Sequence, residues 1–421
     1  MSTVTGSKGG DLWFGASLKL QRALVRRVKD PFVQLLLGDG QADRIPYYDR
    51  IRAEGPLFNS KATKSWITTS HPLGTEILRD RTLKMSGLDG KPNGQKVNLK
   101  IGWDSSFLTK DAPDHTRLRK LAAPAFTPRR IAEYRATVEK LCHQLIDKVE
   151  TTGAFDLVHD FGAPLPVAVI GQMLGVDAGD HDYFREHGMV IGELIDGVTS
   201  LPLARQVRKA IDAYHGLFDA MIEARRTKPS EDLVSSLGKA YDDGVLTHEE
   251  LLSLCTVLAV TGFETTVHMI GNTVSALLRH PEQWDRLKQD PGLAPKAIEE
   301  GLRWDPPTVA STRVPHEDTE FAGQPVKAGE PLTVLLAAAN RDPEVYRDPA
   351  EFDIVREGEP DHLAFSGGSH FCIGAPLARM EGDVALRVLA ERAPGLRITA
   401  APRRRSSAVV NGWRELPVSL R

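Results

Sequence analysis

The apolar segment that follows Thr247 constrains the fold more than any other part of the chain. Thr247 and Glu250 have the spacing of a capping box, in which two side chains bond the free N–H groups at a helix start. The helical pattern then continues to about Arg279, and a helix of roughly thirty residues spans about 45 Å. Up to Gly262 this helix is apolar on nearly every side. It therefore has to be buried, with the rest of the chain packed around it.

The composition is that of a large soluble globular protein. The chain has 421 residues, of which 41% are hydrophobic and 26% are charged. Its net charge of −3 lacks the basic excess of a nucleic-acid-binding protein, so no nucleic-acid partner is expected. Because no Gly/Ser-rich or Pro-rich linker divides the chain, we predict one domain over residues 1–421. Within it, residues 1–45 are expected to form an N-terminal extension and a surface helix.

Neither a membrane segment nor a disulfide framework is expected. Charged residues interrupt the apolar pattern between Leu12 and Leu37, which argues against a signal peptide and against a spanning helix. The three cysteines, Cys142, Cys255 and Cys372, are an odd number spread far apart, as in proteins of a reducing compartment. We predict a cytoplasmic monomer that does not bind membranes.

Helical patterns dominate the chain, and the strands that it predicts are short. The fold class is therefore mainly α with small β-sheets (α+β). Helices are expected in segments 129–227, 281–304 and 376–392, and strands near 308–314, 319–321, 332–336, 409–413 and 416–418.

A glycine-rich loop near the C-terminus presents one cysteine. Cys372 lies in the sequence FSGGSHFCIGAPLAR, which leads into residues of high helix propensity. Gly367, Gly368 and Gly374 let the backbone approach something flat and bulky, and the helix start is expected to lower the pKa of the thiol.

Four interpretations of Cys372 compete at this point. It can be a buried structural cysteine, a zinc ligand, a nucleophile activated by His370, or a haem ligand. Zinc fits poorly because no Cys-x-x-Cys pair accompanies it, with only His362 and His370 nearby. A single thiolate is a sufficient protein ligand for haem iron.

The middle of the long helix concentrates residues that buried helices avoid. Gly262 and Glu264 stand among three threonines, and a threonine hydroxyl can divert a backbone carbonyl, so we predict an opened helical turn there. The alternative is a bend satisfied by its own side chains. The face that carries Thr265 also carries an apolar stripe that suits a substrate, formed by Leu254, Leu258, Thr261 and Gly262.

Several motifs together resemble the cytochrome P450 family. The loop Phe365-x-x-Gly-x-His370-x-Cys372-x-Gly374 is similar to the haem-binding loop of that family. The other motifs occur in the family's order, namely His115-x-x-x-Arg119, Gly262-x-Glu264-Thr265, Glu300-x-x-Arg303 and Phe352-Asp-x-x-Arg356. The resemblance spans nearly the whole chain and implies a single haem-thiolate fold.

The resemblance also implies a role for each motif. Cys372 would be the axial ligand of the iron of haem b, with Phe365 and Gly374 beside the haem. The haem propionates would be bound by His115, Arg119, Arg313 and His370. Thr265 would contact bound dioxygen and Glu264 would relay protons, which makes these two the predicted catalytic residues. Glu300, Arg303 and Arg356 would form a structural triad behind the haem.

The implied activity is monooxygenation of a small apolar organic substrate, most often in the tailoring of a secondary metabolite. The chain contains no Gly-x-Gly-x-x-Gly fingerprint and no cysteine cluster, so electrons must come from a separate ferredoxin and its reductase. A ferredoxin is expected to dock on Arg117, Lys120, Arg129 and Arg130. Alternatives are a catabolic hydroxylase, a peroxide-driven relative, and a haem-free recruitment module of a biosynthetic assembly line.

Two residues depart from the family's pattern, and two segments match it. Ser366 occupies a position where the family's loop usually has glycine, and Thr261 one where its helix usually has alanine or glycine. Segment 188–203 mixes apolar residues with glycines and matches the family's mobile lid, while the long irregular segment 84–110 matches the roof of its substrate pocket.

Overall fold

The computed structural model describes residues 29–37, 43–91, 104–151, 153–196, 200–405, 407 and 409–420. Helices make up most of these residues, as predicted. In chain order they are α1 (Pro31–Leu37), α2 (Ile45–Ala53), α3 (His71–Arg79), α4 (Asp114–Ala122), α5 (Pro128–Glu150), α6 (Pro164–Leu174), α7 (His181–Gly192), α8 (Leu201–Thr227), α9 (Leu233–Asp242), α10 (His248–Arg279), α11 (Pro281–Gln289), α12 (Ala294–Trp304), α13 (Leu336–Ala339) and α14 (Ala375–Arg392).

The strands are short and form small separate sheets. They are β1 (Phe58–Ser60), β2 (Ser65–Thr68), β3 (Ala154–Asp156), β4 (Ser311–Arg313), β5 (Thr319–Phe321), β6 (Gln324–Val326), β7 (Leu332–Val334), β8 (Arg397–Ile398), β9 (Arg403–Arg404), β10 (Trp413–Glu415) and β11 (Pro417–Ser419). One sheet has the order β1-β2-β7-β4, in which only β2 and β7 run parallel. A second sheet has the order β3-β11-β8, and β5-β6 and β9-β10 are antiparallel pairs.

The long helix α10 is the centre of the molecule, as its sequence predicts. Its capping box is present, because the Thr247 hydroxyl accepts from the Glu250 N–H and the Glu250 carboxylate accepts from the Thr247 N–H. Every residue from Leu251 to Val260 is buried. Helices α6, α12 and α14 pack against it, so the residues in its middle are held on all sides.

Among the residues that the structure describes, two segments are long and apolar enough to cross a membrane, namely Leu157–Leu174 and His248–Arg279. However, 72% and 83% of their most apolar windows are buried inside the fold. Both therefore serve as core helices in this structure.

Some predictions fall wholly or partly outside the described residues. Of the N-terminal extension and surface helix, the structure describes the helix Pro31–Leu37. Of the irregular segment 84–110, residues 92–103 lie outside the description, as do 197–199 of the proposed lid.

Candidate active site

A cavity of about 410 Å³ lies between helix α10 and the cysteine loop. The helix contributes Val257, Leu258, Thr261, Gly262, Thr265, Thr266 and Met269 to its wall. The loop contributes Phe365, Ser366, His370, Phe371, Cys372, Ile373 and Gly374. Two regions that are about a hundred residues apart in the sequence thus face one enclosed space, whose mostly apolar wall suits an organic molecule.

The fold of the loop holds Cys372 at the cavity wall. The Cys372 N–H donates to the Phe365 carbonyl at 3.0 Å, which closes the loop. Gly368 has a φ of 65°, and a Cβ there would lie 2.4 Å from the Leu78 carbonyl oxygen, so only glycine fits. At Gly374 a Cβ would meet only ordinary contacts, 3.8 Å from Phe126 and 3.9 Å from the Cys372 sulfur. Glycine there keeps the space beside the sulfur open.

The thiol of Cys372 faces the cavity, which explains why this side chain is exposed although protein surrounds it. Burial raises the pKa of the Cys372 thiol, while the Gly374 N–H and the charge of Arg119 act in the opposite direction. The N–H groups of Gly374 and Ala375 at the helix start lower this pKa, as predicted, but the loss of water outweighs them and the net pKa is raised. A cation bound at the sulfur would favour the thiolate.

Four polar side chains gather at one end of the cavity. Arg119, Arg313 and His370 line the wall, and the His115 ring packs against the His370 ring at a tilt of 43°, with centroids 4.2 Å apart. The Arg119 guanidinium donates to the Phe371 carbonyl at 2.7 Å, which ties α4 to the cysteine loop. Within the described residues, the buried Nε2 atom of His115 has no hydrogen-bond partner. The structure thus brings together the four residues predicted to bind a dianionic group.

Only two of these four side chains carry charge near neutral pH. Burial, reinforced by the neighbouring His115 and by the charge of Arg313, lowers the pKa of His370 to about 3. Burial and Arg119 also lower the pKa of His115. Burial lowers the pKa of Arg313 to about 10, which leaves it protonated. The histidines are therefore neutral hydrogen-bonding groups.

The threonines of α10 bond to their own helix. The hydroxyl of Thr265 donates to the Thr261 carbonyl at 2.9 Å, and that of Thr261 donates to the Val257 carbonyl at 2.7 Å. The helix runs unbroken through this region, so the predicted opened turn is wrong. Gly262 has a packing role instead, since a Cβ there would lie 2.6 Å from Cδ1 of Ile170.

Glu264 lies behind the cavity wall, next to Thr265 in sequence but not on the wall. Its side chain is buried and forms an ion pair with Arg405. Gly192 makes room for it, because a Cβ at that position would lie 1.9 Å from the Glu264 carboxylate. The Arg405 guanidinium also approaches Nε2 of His268, at 3.3 Å, and the Glu193 carboxylate, at 3.3 Å. The acid is thus present beside the threonine but held by a cation.

Two parts of the predicted pocket do not reach the cavity. Leu258, Thr261 and Gly262 line it, but Leu254 is fully buried in the core, since the wall on α10 begins at Val257. In the proposed lid, no described residue of segment 188–203 lines the cavity. Ile191 in that segment is fully buried in the core.

Glu300, Arg303 and Arg356 form a buried network, which the sequence pattern alone could not distinguish from a surface pair. Both oxygens of Glu300 accept from Arg303, at 2.7 and 2.8 Å, and Arg356 approaches the same carboxylate at 3.4 Å. The Arg303 guanidinium also donates to the carbonyls of Asn340, Pro349 and Glu351. The network thereby ties α12 to the segment that precedes the cysteine loop.

Sequence reasoning missed two residues of the site. Arg405, the partner of Glu264, follows Arg403 and Arg404 in the sequence and looks there like part of a basic surface run. Glu381 lines the cavity although it is fully buried, and within the described residues its carboxylate has no hydrogen-bond partner. No spacing signal marks either residue.

Comparison with known proteins decides the family. The family model named Cytochrome P450 matches residues 292–392. The nocardicin C N-oxygenase of Nocardia uniformis subsp. tsuyamanensis is 38% identical over 386 residues, which cover 90% of this chain and 96% of that enzyme. The chain belongs to the cytochrome P450 family. It is therefore a haem-thiolate monooxygenase with the predicted mainly helical fold.

Solved cytochrome P450 structures agree with this assignment. The crystal structure of Mycobacterium smegmatis CYP164A2 superposes with a TM-score of 0.85 at 35% identity, covering 93% of this chain and 100% of that one. P450BioI, in its complex with a fatty-acid-loaded acyl carrier protein, gives a TM-score of 0.83 at 34% identity, covering 89% and 97% of the two chains.

The residues of the cavity fit the haem that the family implies. A flat group with an iron ion and two carboxylates needs a free sulfur, space beside it and cationic donors at one edge. Cys372 and Gly374 provide the sulfur and the space, and Arg119 and Arg313 provide the cations. The unpartnered Nε2 atom of His115 is a further group that a carboxylate would satisfy.

Proposed function

We propose that Cys372 is the axial ligand of a haem b and that this cytochrome P450 oxidises a small apolar organic molecule. The observation that carries the proposal is the position of the three cysteines. Cys142 and Cys255 are buried in the core, whereas the Cys372 sulfur is on the cavity wall. When bound, haem iron uses dioxygen, two electrons and two protons to insert one oxygen atom into the substrate and release the other as water.

The side chains around the cavity have separate roles in this proposal. Arg119 and Arg313, which line the cavity, would bind the haem carboxylates. The Thr265 hydroxyl lies on the cavity wall and would relay a proton into the cavity. Glu264 supplies that proton from behind the wall. Because Arg405 is ion-paired with Glu264, the carboxylate must loosen from Arg405 before it takes up a proton.

The apolar wall supports a substrate of low polarity. We favour the tailoring of a secondary metabolite, because the similar N-oxygenase is named for nocardicin C, although catabolism remains the alternative. A substrate delivered by a carrier protein is a second candidate, supported by the acyl carrier protein bound to P450BioI. A screen that compares free acids with the same acids on a carrier protein, read by the Soret shift, separates these two routes.

We further propose that a ferredoxin and its reductase supply electrons in the cytoplasm. Lys120, on the exposed side of α4, has no ion pair within the described part of the chain and is the best docking cation. Arg117 is less suitable because Asp114 and Glu250 already pair with it. Arg129 and Arg130 both contact Glu133. Reversal of Lys120 to Glu is expected to slow reduction in a salt-dependent way.

The decisive experiment is the spectrum of the reduced protein with carbon monoxide. Thiolate ligation predicts a strongly red-shifted Soret band in wild type and its loss in Cys372→Ala, while Cys142→Ala keeps the band. The matched cysteine variant controls for general loss of a thiol. A normal band in folded Cys372→Ala would show that another residue binds the iron.

A further inference from the structure

A second cavity, of about 550 Å³, lies behind one wall of the active-site cavity. The two segments 304–309 and 409–411 pair along that wall, through the Asn411 N–H to the Pro307 carbonyl at 2.7 Å and the Val309 N–H to the Val409 carbonyl at 3.1 Å. Thr308 and Val410 face the active-site cavity, whereas Asp305 and Asn411 face the second one. The two cavities are therefore separate sites that share a wall.

Arginines dominate the charge of the second cavity. Four of them line it, Arg44, Arg279, Arg341 and Arg404. The acids on its wall are Asp43 and Asp305. Both oxygens of Asp305 are already used, since they accept from Asn411 at 2.6 Å and from Arg404 at 2.9 Å. Positive charge thus exceeds negative charge in a concave space.

Most of these arginines lack a carboxylate partner. Within the described residues, neither Arg44 nor Arg279 nor Arg341 forms an ion pair, and Arg341 donates only to the Trp304 carbonyl. Arg279 and Arg404 lie against the same ring, with guanidinium carbons 4.9 and 4.2 Å from the centroid of Trp413. The charges of Arg279 and Arg404 repel each other, and Asp305, which already pairs with Arg404, offsets this only in part, so a further anion would relieve the repulsion.

Hydrogen-bond donors on the same wall are also unused. Nη1 of Arg44 and Nε1 of Trp413 are buried and have no partner among the residues that the structure describes. Trp413 as a whole is only 5% exposed, so bulk water does not satisfy its indole N–H. Buried polar groups are almost always hydrogen-bonded, and orphan donors call for an acceptor. The excess of positive charge and the unpartnered donors thus both call for a negatively charged hydrogen-bond acceptor.

We propose that this second cavity binds an organic oxyanion, which carries its negative charge on phosphate or carboxylate groups. Guanidinium groups match both groups because their planar donors form paired hydrogen bonds to oxyanions. The rings of Tyr48, Trp304 and Trp413 add apolar surface, and the volume exceeds what a single inorganic ion fills. The site is distinct from the haem carboxylate cradle, whose arginines are Arg119 and Arg313.

The test measures binding to the haem-loaded enzyme by titration calorimetry at constant ionic strength, with sodium chloride replaced by sodium phosphate or by sodium citrate. Saturable binding of one equivalent of phosphate identifies a phosphate-bearing ligand, and preferential binding of citrate identifies a polycarboxylate. Arg279→Gln is expected to weaken either binding about tenfold, the effect of one lost charged hydrogen bond. Arg279→Lys keeps the charge and is expected to lose less.

The matched control is Arg414→Gln. Arg414 is exposed, neighbours Trp413 in strand β10 and does not line the cavity, so its removal is expected to leave binding unchanged. The Soret spectrum and melting temperature of each variant verify folding. The proposal is overturned if neither anion binds wild type saturably, or if Arg279→Gln and Arg414→Gln weaken binding equally.

Discussion

Ser366 is the residue in the cysteine loop whose backbone conformation is least suited to its side chain. Its φ of 61° lies in the left-handed region, where a non-glycine residue costs about 1–2 kcal/mol. Its hydroxyl lies 3.4 Å from both the Arg313 guanidinium and the Ser311 hydroxyl. These distances are long for hydrogen bonds, so the contacts offset the backbone cost only in part.

Replacing Ser366 by glycine is expected to stabilise the protein by about 1 kcal/mol, because glycine adopts this φ without strain. Denaturant midpoints of the two proteins measure the change. Ala322→Gly is the matched control, since Ala322 has a φ of 50° in an exposed turn away from the cavity. A loss of stability in Ser366→Gly beside a gain in Ala322→Gly would show that the Ser366 hydroxyl contributes more than its backbone costs.

At the scale of single residues, the sequence was a better guide to which side chains form the site than to their charges and pKa values. The motifs placed Cys372, Arg119 and Arg313 on one cavity, because each lies at a fixed offset within a local pattern. They did not give the net direction of the pKa of the Cys372 thiol, since a local pattern contains the helix start, which lowers this pKa, but not the burial, which raises it more. The ion pair of Glu264 was also invisible, because Arg405 is 141 residues away along the chain.

At the scale of elements, the glycine in the middle of α10 is there for packing. Gly262→Ala is expected to destabilise the protein by about 1–2 kcal/mol, because the strain of overpacking against Ile170 exceeds the gain in helix propensity. Thermal or denaturant unfolding measures this. Gly216→Ala, in the exposed interior of α8 with no atom within 4 Å of the new Cβ, is expected to stabilise by about 1 kcal/mol instead.

A double variant tests whether the effect of Gly262→Ala comes from contact with Ile170. Ile170→Val removes the Cδ1 atom that lies 2.6 Å from the Cβ position of residue 262, so it is expected to recover most of the loss in Gly262→Ala. If the two changes simply add, the steric explanation is wrong.

The elements themselves were largely predictable, and α10 shows why. A capping box and an unbroken apolar run are local signals, and they fixed the start and the burial of this helix. Whether the turn opens was not predictable, because the same threonine hydroxyls can replace a helical hydrogen bond or add to it. Which of the two occurs depends on the surrounding helices. Here Ile170 of α6 packs against Gly262, and the helix is continuous at this turn.

For the molecule as a whole, the network of Glu300, Arg303 and Arg356 joins α12 to the segment before the cysteine loop. Glu300→Ala is expected to cost about 3–5 kcal/mol, because it leaves the buried Arg303 without its counter-charge. The denaturant midpoint and the haem content of purified protein both report this. Glu357→Ala, which removes a surface ion pair with Lys296, should cost less than about 1 kcal/mol.

The last prediction concerns how the whole molecule responds to pH through Glu381. This carboxyl is fully buried, has no hydrogen-bond partner among the described residues, and burial raises its pKa well above the ordinary value. The folded state therefore keeps the proton while the unfolded state releases it above about pH 4.5. As pH rises from about 4.5 to the raised pKa of the folded state, Glu381 destabilises the fold by up to about 1.4 kcal/mol per pH unit.

Glu381→Gln removes this titration but keeps the size and polarity of the side chain. Its denaturant midpoint is expected to match that of wild type near pH 4.5 and to exceed it by a growing margin toward pH 8. The difference between the two proteins isolates Glu381, because every other titrating group is common to both. A difference in midpoint that stays constant from pH 4.5 to pH 8 would mean that Glu381 is ionised in the folded protein.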